Sequence, residues 1–219
     1  MSTPATDSPQ TRSGRGRRAA RSGGDERERA ILQTAERLLR ERPLSRISVD
    51  DLARGAGISR PAFYFYFPSK DAVVLTLVDR MVEEANDARD ATAERLLPSD
   101  PQAAWRESLR SFYATFGAHR ALVRAATELS ATNAEARELW SQVMEGWVAY
   151  VTERIEAERE RGQAPAGLPA RELATALVQM NEGVLGAIFV EEVPAVAEDK
   201  VMDVLDHIWL SAIYGAHRG

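Results

Sequence analysis

The sequence predicts an all-α protein, with a three-helix N-terminal head joined to a larger helical body, about nine helices together. Three observations predict it. Apolar residues recur at three- and four-residue spacing from Ile31 almost to the C-terminus. Between these runs stand helix signals: Ser or Asn before a run, Gly or Pro after it. No segment alternates apolar and polar residues between turn signals, so no strand is expected.

Residues 1–24 are rich in Ser, Gly, Pro and Arg. They hold too little apolar surface to offset their chain entropy and read as a disordered basic arm. Arg15, Arg17, Arg18 and Arg21 suit either a strand that follows DNA phosphates or a solvated tail, and composition leaves both open. Ile31, Ala35, Leu38 and Leu39 mark a first helix over 26–42, stopped by Pro43. Ser48 opens a short helix over 49–55, with Asp51 complementing its dipole. Ser59 caps a third helix that tolerates Pro61 in its first turn, runs through Phe65 and halts before Pro68. Ser69 starts a long fourth helix, 69–97, ended by Pro98. Further helices are expected at 101–118, 120–130, 133–162, 168–191 and 196–215. The domains expected are the arm (1–24), a DNA-binding head (25–70) and a body (71–219).

Charge is unevenly divided. Residues 1–70 carry 14 Lys and Arg against eight Asp and Glu, whereas residues 71–219 carry 14 against 25. A basic end on an acidic body suits a head that meets nucleic acid. The chain has no cysteine, and His119, His207 and His217 are too widely spaced for a metal motif, so neither metal nor cofactor is expected. No apolar run approaches the ~20 residues of a membrane span and no secretory leader pattern appears, which points to a cytoplasmic protein without a membrane partner. Glu128, Glu182 and His207 could serve as acids or bases, but no nucleophile–base spacing accompanies them. Gly55-Ala56-Gly57 follows no strand and is not a nucleotide loop. An enzyme is not expected.

The informative stretch is 47–73. A helix, a tight glycine turn and a second short helix make a helix-turn-helix. Val49, Leu52 and Ala53 face inward, Ala56 is small where the helices cross, Gly57 permits a left-handed turn and Ile58 plugs the core. The second helix then presents Ser59, Arg60, Pro61 and Ala62 to base edges, and of these Arg60 can bind guanine bidentately. Ser48, Tyr64, Tyr66 and Lys70 are placed for phosphates, Lys70 in a helix first turn where peptide N–H groups favour an anion.

In the body, Trp105, Leu109, Phe112 and Phe116 form one helical stripe; Trp140, Met144, Trp147 and Val151, with Tyr150 beside them, form another. Val178, Asn181, Leu185 and Phe189 follow, then Leu205, Trp209 and Ile213. Such stripes either fill a core or line a cavity, and Asn181 is either a satisfied core amide or a group that orients a ligand. Apolar positions beyond one inward face, namely Leu173, Ala176, Leu177, Val184 and Ile188, then Val201, Val204, Ile208, Leu210 and Ala212, suit a homodimer through the last two helices.

The run Tyr64-Phe65-Tyr66-Phe67-Pro68-Ser69-Lys70 resembles the signature of the TetR family of repressors. The Phe116-Gly117 corner, Glu172–Leu177, Met180-Asn181-Glu182 and His207-Ile208-Trp209 resemble one branch of it, over about residues 14–216. The resemblance implies a dimeric repressor on double-stranded operator DNA, released by an apolar small molecule. It implies a long apolar tunnel lined by Trp105, Leu109, Phe112, Phe116, Trp140, Met144, Trp147, Tyr150, Val151, Val178, Asn181, Leu185 and Trp209. It further implies repression of a neighbouring monooxygenase gene. A ligand-independent DNA-binding regulator is the alternative. Departures are Ala62, where many relatives carry threonine, and Val178, Gly186 and Arg89, which alter the tunnel's width and polarity.

Overall fold

The computed structural model describes residues 13–97 and 99–215; residues 1–12, Pro98, His217 and the side chains of the four arm arginines lie outside that description. Nine α-helices and a short 3₁₀ turn account for the order among the described residues, which contain no strand. They are α1 (Ser13–Glu41), the turn Leu44–Arg46, α2 (Val49–Gly55), α3 (Arg60–Phe63), α4 (Lys70–Leu96), α5 (Pro101–Ala118), α6 (Arg120–Ser130), α7 (Ala134–Glu160), α8 (Ala170–Phe189) and α9 (Val201–Tyr214).

Two expectations need correction. The first helix begins at Ser13, so the second half of the expected disordered arm is helical. Arg and Ala between residues 15 and 21 are strong helix formers, and extending a helix already nucleated by a buried segment costs far less than starting one. The third helix is a single turn ending at Phe63. Beyond it the chain tightens, with Phe65 N–H donating to Ala62 (3.2 Å) and Tyr66 N–H to Phe63 (2.9 Å), which are i−3 bonds.

The head is built on α1, whose Ile31, Leu32, Ala35, Leu38 and Leu39 are all buried. Leu52, Ala53 and Phe63 close over them, and Val73, Val74 and Leu77 of α4 complete the same core. Ser48 caps α2 in a reciprocal capping box with Asp51. At the other end of α2, Gly57 sits at φ +68°; its N–H donates to Arg54 (3.1 Å) and that of Ile58 to Ala53 (2.9 Å), a Schellman ending that needs the left-handed residue. The close approach of α2 to α1 falls at Gly55. A Cβ at Gly55 would lie 2.3 Å from Thr34 Cγ2.

The body packs α4 against α5 and α6, and α7 against α8, with α9 closing on α5. Glu128 on α6 accepts a hydrogen bond from Ser45 N–H in the head turn at 2.8 Å, which joins head to body. On α8 and α9, Leu173, Leu177, Ile188 and Val201 are buried within this chain. They are therefore core residues and unavailable to a partner, contrary to the sequence-based expectation.

Candidate DNA-reading head and effector cavity

The helix-turn-helix gathers Ser59, Arg60 and Pro61 on an exposed face beside Tyr64. Ser59 caps α3, its hydroxyl accepting from Ala62 N–H at 3.3 Å. Arg60 Nη1 lies 3.1 Å from Asp50 Oδ2, an exposed pair of little energetic weight, so the guanidinium is held at the surface and can exchange partners. Tyr64 is 47% exposed and Phe65 88% exposed. Phe65 was missed from sequence: an aromatic run reads as core, and the tight turn after α3 is what turns this ring outward.

Two of the side chains expected at phosphates, Lys70 and Ser48, are hydrogen-bonded within the chain. Lys70 Nζ donates to the carbonyls of Leu44 (3.0 Å) and Ile47 (3.1 Å). It satisfies the end of the 3₁₀ turn, so its first role is to lock α4 to the head. Ser48 Oγ donates to Asp51 Oδ2 (2.7 Å) and accepts from Asp51 N–H (3.2 Å), which spends the hydroxyl on the cap. The Ser48 backbone and hydroxyl bonds, helped by Arg42, hold the Asp51 carboxyl below the usual carboxylate range. Tyr66 is partly buried against the head core. Ala62 is half-buried.

In the body, helices α4 to α9 surround an elongated cavity of about 300 Å³. Every effector position named from the sequence lines it, from Trp105 to Trp209, and so do all four tryptophans of the chain. The walls are interlocked rings. Phe112 stacks on Phe116 with centroids 4.4 Å apart, Trp147 meets Phe112 edge-on at 4.8 Å and Trp140 at 5.7 Å, and Trp105 lies 5.4 Å from Trp209. Such contacts fix ring orientation and add about 0.5–1.5 kcal/mol each beyond area burial. The stripes are therefore both core and lining. Rings of this size leave space between them.

Polar groups enter at few places. Asn181 Oδ1 accepts from the Trp209 indole at 2.9 Å. Asn86 Oδ1 accepts from the Trp147 indole and from Arg89 Nη1, both at 3.1 Å. Glu182 accepts from the Trp140 indole at 2.5 Å. Burial raises the Tyr150 hydroxyl above its usual value despite Arg89 beside it, so it remains a neutral phenol. Sequence reasoning missed Asn86 and the α4 wall made by Leu75, Val78, Met81 and Ala85. Their three- and four-residue spacing was legible but reads as the packing face of a connecting helix. The described residues hold no cluster of His, Asp or Glu fit for a metal, and no described helix is long and apolar enough to cross a membrane.

Residues 31–77 match the family "Bacterial regulatory proteins, tetR family", and residues 105–215 match "Transcriptional regulator EthR, C-terminal domain". The chain is also 56% identical over 204 residues to the HTH-type transcriptional regulator EthR of Mycobacterium tuberculosis, covering 93% of this chain and 94% of that one. The chain belongs to the TetR family of transcriptional regulators. EthR of Mycolicibacterium smegmatis is 51% identical, with 96% of each chain covered. Among solved structures, a TetR-family regulator from Syntrophomonas wolfei superposes with a TM-score of 0.73 at 15% identity, covering 89% of this chain and 98% of that one. The TetR-family repressor FadR of Thermus thermophilus, solved with lauroyl-CoA, gives 0.63 at 17% identity over 86% and 94%. Both share the fold. These relatives are regulators, not enzymes, and the helix-turn-helix is the family's DNA-binding element.

Proposed function

We propose that this protein is a ligand-responsive repressor that binds operator DNA as a homodimer and leaves it when an apolar small molecule fills the body cavity. One observation carries the reading. Helix α4 is sealed into the head core at Val73, Val74 and Leu77, and the same helix walls the apolar cavity from Leu75 to Arg89. A ligand that occupies the cavity therefore acts on the element that holds the head. To release DNA it must favour the released arrangement by ~1–3 kcal/mol or more.

Dimerisation is assigned to α8 and α9. With Leu173, Leu177, Ile188 and Val201 used internally, Ala176, Met180 and Val184 on α8 and Val204, Ile208 and Ala212 on α9 remain wholly or partly exposed. A twofold pairing of these faces would carry two heads, which fit DNA when their α3 turns are about 34–36 Å apart or a multiple of it. Arg60 reads a base edge, with Tyr64 on the flanking backbone. FadR with its lauroyl-CoA supports a body of this fold taking an acyl group. A cytoplasmic location and a neighbouring monooxygenase gene as target rest on the family branch alone.

The test is an electrophoretic mobility shift of DNA from upstream of the protein's own gene, with and without long apolar esters, amides and ketones. Retardation relieved by one of them is expected. A folded dimer that retards no DNA at low salt ends the reading. Retardation that no ligand alters favours the second one, a ligand-independent regulator.

A further inference from the structure

Beside the hydroxyls of Ser108, Thr127, Ser130 and Tyr150, the polar side chains in the lining are Asn86, Arg89, Asn181 and Glu182, and their hydrogen bonds limit what they can offer a ligand. An indole N–H can only donate. Trp209 therefore fixes the Asn181 amide oxygen towards itself, and Trp147 does the same to Asn86. Each carboxamide is left with its NH₂ group, a donor. Arg89 uses Nη1 on Asn86 (3.1 Å), and Nε and Nη2 on Asp90 Oδ1 (2.9 and 2.8 Å), which leaves two of its five N–H donors unspent. Its guanidinium lies 4.0 Å from the centre of the Tyr150 ring, itself part of the lining. The cavity thus presents donors and a fixed positive charge in an otherwise apolar wall.

The acid in the lining, Glu182, does not oppose that charge. It is exposed and bound to Trp140, about 15 Å along α7 from Tyr150 at 1.5 Å per residue. From Leu75 to Arg89, α4 lines the cavity over roughly 21 Å on the same rise. The lining is mostly apolar and carries one cation, Arg89, at the far end of this stretch of α4. Asp90, whose side chain is 61% exposed, is a weak competitor for Arg89, because an exposed ion pair gains little over hydration.

We infer that the effector is a long-chain monocarboxylic acid, its carboxylate held by Arg89 and the Asn86 amide and its chain lying along α4 towards Leu75. This rests on the reading that the cavity takes an effector. A carboxylate only accepts hydrogen bonds and matches the planar guanidinium fork. An ester of the same chain buries the same apolar surface but brings a neutral carbonyl to Arg89.

The test uses the full chain, stripped of lipid, titrated below micellar concentration with myristic acid, methyl myristate and myristoyl-CoA while tryptophan fluorescence is followed. The acid should bind at least about tenfold more tightly than the ester, the effect of one charge-assisted hydrogen bond. Arg89→Leu should erase that preference while keeping ester binding, and Arg89→Lys should keep part of it. Equal binding of acid and ester by the unaltered protein overturns the inference, as does a preference that survives Arg89→Leu. Tighter binding of the thioester than of the acid also overturns it, in favour of a bulky anionic headgroup. If none of the three binds, the effector reading of the cavity fails with it; if the ester alone binds, only the carboxylate assignment fails. Should Arg89→Leu not fold, the unaltered protein and Arg89→Lys decide.

Discussion

Replacing Gly55 with alanine would place a methyl carbon 2.3 Å from Thr34 Cγ2, 3.2 Å from Thr34 Oγ1 and 3.3 Å from an Arg37 guanidinium nitrogen. Carbon atoms in contact sit ~3.5–4.0 Å apart, so α1 and α2 must part by about 1 Å or Thr34 must leave its place. Thr34 is only 6% exposed, and a β-branched side chain on a helix has few rotamers to move to. Two effects oppose. Alanine in place of glycine within a helix stabilises by about 0.5–1 kcal/mol, while overpacking costs about 1–3 kcal/mol. Gly55→Ala should therefore destabilise the head, by about 1 kcal/mol at mid-range and up to about 2.5 kcal/mol, and weaken operator binding, because α2 carries the α3 turn. Thr34→Ala removes both close atoms of Thr34, so the double variant should regain most of the loss relative to Thr34→Ala alone. Urea unfolding followed by circular dichroism, combined as a double-mutant cycle, measures the coupling. Gly55→Ala as stable as the unaltered protein would refute the argument, and so would a loss that Thr34→Ala leaves unchanged.

Other predictions follow from the same geometry. Arg60→Ala should cost ~1–3 kcal/mol on the preferred operator and flatten base preference, read by binding selection on randomised sites. Lys70→Met should lower stability by ~1 kcal/mol for the two hydrogen bonds lost, the Leu44 carbonyl keeping the Ile47 N–H, yet leave the salt slope of DNA binding unchanged; a slope reduced by about 0.9 would restore the phosphate contact. Gly186→Phe should raise the melting temperature and reduce long-chain ligand binding in tryptophan-fluorescence titrations, because a Cβ there meets open cavity space and a glycine within a helix costs about 0.5–1 kcal/mol. Asp51 has its pKa lowered by the Ser48 bonds and by Arg42. Its contribution is present above the unfolded value of about 3.9 and fades as pH falls through the lower folded value. Asp51→Asn should reduce that acid sensitivity in head unfolding followed by circular dichroism.

Much of the fold was legible because its boundaries are local chemistry. Pro101 at the start of α5 and the caps Ser48, Ser59, Ser69 and Asn133 mark helix starts that depend on a few adjacent residues. The body stripes were legible because helical period puts Trp105, Phe112, Trp147 and Trp209 on inward faces, although period alone does not separate core from cavity wall. The bonds from Lys70 to the Leu44 and Ile47 carbonyls were not legible, because a 3₁₀ turn that no sequence pattern announced brings these acceptors to it. The close approach of α2 to α1 at Gly55 was not legible, since it depends on Thr34, 21 positions earlier. Leu173, Leu177, Ile188 and Val201 looked surplus to one inward face, yet α6, α7 and α9 pack on α8, and α5 and α8 pack on α9, so more than one side of each helix is used.

The length of α4 has a mechanical consequence. Twenty-seven residues make a rod of about 40 Å, clamped at one end among the head's apolar side chains. If such a rod pivots near its midpoint by roughly 5°, each tip travels nearly 2 Å, whereas a hydrogen bond to a base edge survives only a few tenths of an ångström of error. The contact surface for nucleic acid can therefore be thrown out of register while every atom within it keeps its neighbours. Leverage, with no local rearrangement, is enough to switch it off.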